Sequence, residues 1–115
     1  MGINLMGSQA RLSVPPVSRS DPYKTLVTEF QLPVNAAPLV AVLAAVAATT
    51  YLVVLRNSSA GGQMIRIGTA PDFGAPIAGL MLAPGDIVIF DSYDADINAI
   101  ADGAGALLDT FIYST

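Results

Sequence analysis

The sequence predicts an all-β fold. It reads as a single antiparallel β-sandwich, jelly-roll-like, over residues 25–115, preceded by an extended arm over residues 1–24. Three observations carry this. Short runs rich in Val, Ile, Leu and aromatics have the make-up of strands. Turn signals separate them at a spacing of roughly 8–14 residues. No stretch shows a convincing amphipathic helical period.

Residues 1–24 hold Pro15, Pro16 and Pro22, several Ser, and apolar residues without a clear period. Such a segment favours extended or turn conformations. It does not read as a secretory signal, because no basic stretch leads into an apolar one. Thr25–Leu32 alternates. Leu26, Thr28, Phe30 and Leu32 fall on one side and Thr25, Val27, Glu29 and Gln31 on the other, which predicts a half-buried strand ended by Pro33. Leu39–Ala48 is ambiguous, since its Ala residues favour helix and its Val residues strand. Thr50–Arg56 (TYLVVLR) predicts a strand. Asn57-Ser58-Ser59-Ala60-Gly61-Gly62 predicts a turn, and Gln63–Gly68 a strand that completes a hairpin with it. Gly68 is expected where a side chain would crowd. A loop is expected over Thr69–Pro76. Further strands are expected at Gly79–Ala83, Asp86–Asp91, Ile97–Ala101 and Leu107–Tyr113, with turns at Pro84-Gly85, Asp91–Asp94 and Asp102–Gly105.

Composition narrows the function. The chain has 115 residues, 53% of them hydrophobic and only 12% charged, too apolar for disorder as its main state. It has no Cys and no His. That removes thiolate metal sites, disulfides, a cysteine nucleophile and a histidine general base. No catalytic constellation and no cofactor are expected. A surface this poor in charge needs covering, and an assembly of subunits is the natural cover.

The charge is segregated. Arg11, Arg19 and Lys24 face Asp21 alone in the first 24 residues, whereas Asp72, Asp86, Asp91, Asp94, Asp96, Asp102 and Asp109 have no basic residue among them from position 71 onward. With two bases beyond residue 24, no nucleic-acid surface is expected. The acids read as a solvated face that keeps the protein soluble. Asp91, Asp94 and Asp96 are a weak candidate for Ca²⁺, which takes several oxygens, but an EF-hand's Gly and terminal Glu are missing. Phe30–Leu55 is free of charge and long enough for a membrane helix. Pro33, Pro38 and the Thr49-Thr50 pair instead favour two buried strands, and no membrane partner is expected. Core packing is expected for Phe30, Phe90 and Phe111. Phe73, framed by Pro and Gly, is either a plug at the open end of the sandwich or an interface anchor.

Four pieces in order, Tyr51–Ser58 (YLVVLRNS), Ile65–Gly68 (IRIG), Leu82–Asp86 (LAPGD) and Ile97–Ala104 (INAIADGA), resemble small virion structural proteins of tailed bacteriophages, of the capsid decoration (cement) or head-fibre type. The resemblance covers about residues 50–115 and implies a β-sandwich on the capsid exterior. It implies binding to the major capsid protein or other virion proteins, and stapling of neighbouring subunits. Self-association is expected through low-charge faces as a closed oligomer, with a trimer as the most natural form. Arg11, Leu12, Val14, Val17, Arg19 and Lys24 of the arm are the expected partner-binding residues, with Phe73. Two other readings stand beside it: a head-fibre, tail or adhesin module that binds a receptor or glycan through aromatics near Phe73 and Tyr93, and a small membrane protein spanning Pro38–Leu55.

Overall fold

The computed structural model describes residues 23–74 and 76–115. They form eight strands: β1 (Thr25–Val34), β2 (Val40–Leu43), β3 (Tyr51–Asn57), β4 (Ile65–Asp72), β5 (Ala78–Leu82), β6 (Ile87–Tyr93), β7 (Ile97–Ala101) and β8 (Ala106–Ser114). Two four-stranded antiparallel sheets result, ordered β1-β8-β3-β6 and β2-β7-β4-β5. The pairs β1·β8, β2·β7, β3·β6 and β4·β5 are those of one long hairpin folded over on itself. This is jelly-roll topology, which buries one face of each sheet against the other.

The core follows from period 2. In β8 the positions Ala106, Leu108, Thr110, Ile112 and Ser114 are all buried, and the residues between them are half-buried. In β3 Tyr51, Val53, Leu55 and Asn57 are likewise buried, with Leu52 and Val54 half-buried and Arg56 exposed. Ile65 and Ile67 of β4, Ile97, Ala99 and Ala101 of β7, and Leu82 of β5 meet them from the other sheet. Asn57 is the most deeply buried polar residue of this interior among the described residues. Its Nδ2 donates to Gln63 O and to Leu82 O, each at 2.8 Å, and its Oδ1 accepts from Ser59 N at 3.0 Å. Its own backbone joins Asp86 O (3.1 Å) and Gly85 N (2.7 Å). One residue thereby ties together two of the connections that carry the chain from sheet to sheet, β3–β4 and β5–β6.

Several expectations change. The Thr50–Arg56 and Gln63–Gly68 strands form no hairpin, because β3 and β4 lie in different sheets. The connection between them is too long for a tight two-residue turn, and Asn57 holds it as an arch. Leu39–Ala48 contributes the short strand β2 and then turns back: Ala48 has φ 61°, Thr49 N donates to Val46 O, and Val46 N donates to the buried Tyr51 hydroxyl. Pro38–Leu55 is therefore strand, turn and strand. Among the described residues no helix is long and apolar enough to cross a membrane. Part of the expected Thr69–Pro76 loop is strand, since β4 runs on to Asp72. The crowded glycine is Gly79, not Gly68. A Cβ on Gly68 would meet Gly79 Cα at an ordinary 3.5 Å. A Cβ on Gly79 (φ +95°) would lie 2.8 Å from Ile67 O and 2.9 Å from Pro71 Cβ, where β4 bulges around β5.

β1 is not half-buried in the way its alternation predicts. A bulge between Leu26 and Thr28 shifts its register on β8, so Leu26 joins Glu29 and Gln31 on the outer side. Phe30 lies opposite buried Thr110 yet is 54% exposed. It stands on a sheet edge, and the facing sheet's edge strand, β2, is only four residues long. Phe90 packs half-buried against the core as expected. Phe111 does not, because it alternates to the outer face of β8.

Candidate functional site

An antiparallel sheet in a lone sandwich normally turns polar residues outward. The β1-β8-β3-β6 sheet departs from this. Its register fixes the outer face row by row. Leu26, Tyr113 and Leu52 form one row. Glu29, Phe111, Val54 and Ile89 form the next, and Gln31, Asp109, Arg56 and Ile87 the third. Phe111 and Tyr113 stand side by side with ring centroids 5.0 Å apart, edge to face. Ile87 and Ile89 are 60% and 61% exposed. An open depression among Val54, Arg56, Ile87, Asp109 and Phe111 marks the middle of this surface.

The polar groups on it are few. The carboxylate of Asp109 accepts from Ser58 Oγ (2.9 Å) and Gln31 Nε2 (3.2 Å). Arg56 and Glu29, of opposite charge, make no side-chain hydrogen bond or ion pair among the described residues. Apolar side chains thus occupy both faces of β3, β6 and β8. Such strands belong to sheets covered on both sides, and among the described residues no element covers the outer side.

Asp72, Asp86, Asp91, Asp94, Asp96 and Asp102 are exposed, and several of them also brace turns and strand ends. Asp86 accepts from Ala83 N (2.9 Å), Asp72 from Gly74 N (2.8 Å) and Asp102 from Met64 N (2.9 Å). The Ca²⁺ candidates are separated by these duties. Asp96 accepts from Ala45 N (2.8 Å), Asp91 takes the Tyr23 hydroxyl, and Asp94 has neither bond. Among the described residues no three acids are placed to hold a metal ion.

Arg11, Leu12, Val14, Val17 and Arg19 lie outside the described residues. Lys24 is exposed, and its backbone N–H already joins Ser114 O (3.0 Å), extending the β1·β8 ladder. Tyr23 is fixed as well, its oxygen accepting from Ser92 N at 2.7 Å. Phe73 is half-buried at the turn between β4 and β5, with the Arg66 guanidinium 5.3 Å from its ring centroid. Arg66 in turn donates through Nη1 to Gly79 O (2.7 Å). The β6–β7 turn after Tyr93 lies at the same end, but Tyr93 is half-buried against Phe90, ring centroids 4.9 Å apart.

The sequence reading missed the outer face as a site. The signal for it was present in TYLVVLR, DIVIFD and LLDTFIY, where apolar residues fill both alternating sets. No protein-family model, no curated protein and no solved structure matches the chain.

Proposed function

We propose that this chain is a virion structural protein, a capsid decoration protein that binds the outside of an assembled phage head and staples neighbouring subunits. The observation that carries the reading is the apolar outer face of the β1-β8-β3-β6 sheet, in a protein with so few charges. A contiguous exposed apolar surface is the mark of a contact with another protein. The resemblance of residues 50–115 to decoration and head-fibre proteins agrees in kind, and a jelly roll is a fold that capsid proteins use, among others.

The mechanism is bivalent. The sandwich packs against its own copies through its low-charge surface. Residues 1–24 supply the second contact through Arg11, Arg19 and Lys24 and the apolar Leu12, Val14 and Val17, along an acidic or apolar strip of the major capsid protein. Extended segments gain main-chain hydrogen bonds at sheet edges, and linking two weak contacts multiplies their strength. Deleting residues 2–20 tests this by co-sedimentation with particles. The truncated protein is expected to keep its β-sheet circular dichroism and to lose particle binding. Normal decoration by the truncated protein would sink the arm mechanism. An adhesin or fibre module wants exposed aromatics at the end that carries Phe73 and Tyr93, and both are half-buried and engaged.

A further inference from the structure

We propose that the outer face of the β1-β8-β3-β6 sheet is where two copies of this chain pair, face to face, about a two-fold axis. This refines the self-association part of the reading above and rests on it there. Its test uses the isolated protein, so its failure and the failure of particle binding are separate results.

Three features point to a second copy as the occupant. The first is the patterning of β3, β6 and β8, whose outward residues Leu52, Val54, Ile87, Ile89, Phe111 and Tyr113 suit a buried layer. Two sheets packed face to face bury such rows by interdigitation. The second is charge. Glu29 on β1 and Arg56 on β3 lie on this one face, two strands apart, and neither has a partner among the described residues. An isologous contact is self-complementary only if a single patch carries both signs, because each copy must answer the other. Here the Arg56 of each copy can meet the Glu29 of the other. This favours a two-fold pair over the trimer expected from the sequence. The third is size. Four strands about 4.8 Å apart and about 24 Å long give a face of about 460 Å². Two such faces bury about 900 Å² in total before rim side chains are added, close to the roughly 1,000 Å² at which specific interfaces begin.

Sedimentation velocity of the full-length protein is expected to give twice the 11.8 kDa chain mass. Val54→Lys with Ile89→Lys places two charges in the middle of the face and is expected to yield monomer with an unchanged β-sheet spectrum. If the double variant does not fold, Ile89→Lys alone decides, since that side chain is already 61% exposed. Arg56→Glu and Glu29→Arg are each expected to weaken pairing about tenfold, and the two together to restore it. A monomer at every concentration would overturn the proposal. So would a dimer that tolerates Ile89→Lys. A monomer that begins to associate once residues 2–20 are deleted would assign the face to the chain's own N-terminal segment, and would overturn it too.

Discussion

Replacing Asn57 with Ala should be among the most damaging single changes in this domain. The side chain is fully buried and makes three hydrogen bonds, two donated to Gln63 O and Leu82 O and one accepted from Ser59 N. Alanine leaves those three backbone groups without their partner. The bonds to Leu82 and Ser59 are buried, so water does not readily replace them. A hydrogen bond contributes about 1 kcal/mol net, and a buried group left unsatisfied costs about 1–3 kcal/mol. Three such losses amount to about 3–5 kcal/mol, a large part of the roughly 5–15 kcal/mol available to a domain. The melting temperature should fall by about 15 °C or more. Urea denaturation followed by circular dichroism measures the loss directly, with the midpoint shifted and the slope unchanged. Asn57→Asp should be almost as damaging. It keeps the acceptor for Ser59 N but turns a carboxylate toward two carbonyl oxygens. Asn98→Ala is the control, since its bond to Thr69 O is exposed and its loss should cost under about 1 kcal/mol. A loss below about 1 kcal/mol for Asn57→Ala would refute the view that this residue holds the β3–β4 and β5–β6 crossovers together.

Gly79→Ala should destabilise by about 2 kcal/mol or more, because its Cβ would press on Ile67 O and Pro71 in a left-handed backbone. Gly62→Ala, at φ +86° with nothing within 4 Å, should cost only the backbone strain of about 1 kcal/mol. Equal losses from thermal melts of the two would show that crowding at Gly79 is unimportant. Phe73→Ala should cost about 1 kcal/mol through the lost stacking with Arg66, and Arg66→Met should remove most of that difference in a double-mutant cycle. Tyr23→Phe should leave global stability within about 1 kcal/mol while speeding hydrogen exchange at the Ser92 amide, which donates to the Tyr23 oxygen. Unchanged exchange there would place the N-terminal anchor elsewhere.

Period-2 patterning and turn residues made most of the strands legible. TYLVVLR, DIVIFD, INAIA and LLDTFIY each contain or overlap an observed strand, because β-branched and aromatic runs bounded by Gly, Pro or Asp have few other uses. What sequence did not disclose was non-local. Asn57-Ser58-Ser59 looks like a hairpin turn, and only the partner strands decide that it is an arch between sheets. Phe30 has the alternation of a core residue, and only the shortness of β2 leaves it exposed. Gly79 carries no local mark of crowding, since the obstacle is the β4 bulge about ten residues upstream. The outer face was half legible: the strands showed apolar residues on both sides, but which side would lack a cover depended on how the sheets stack.

On the function proposed above, this low-charge sandwich works as part of a particle, with its outer sheet face covered by protein. An electron cryomicroscopy map of intact particles from the source of the sequence tests it most directly. Jelly-roll density is expected on the exterior of the head, with Val54, Ile89 and Phe111 facing a second protein chain. Particles that lack the protein, or that carry it with this face turned to solvent, would overturn the proposed role.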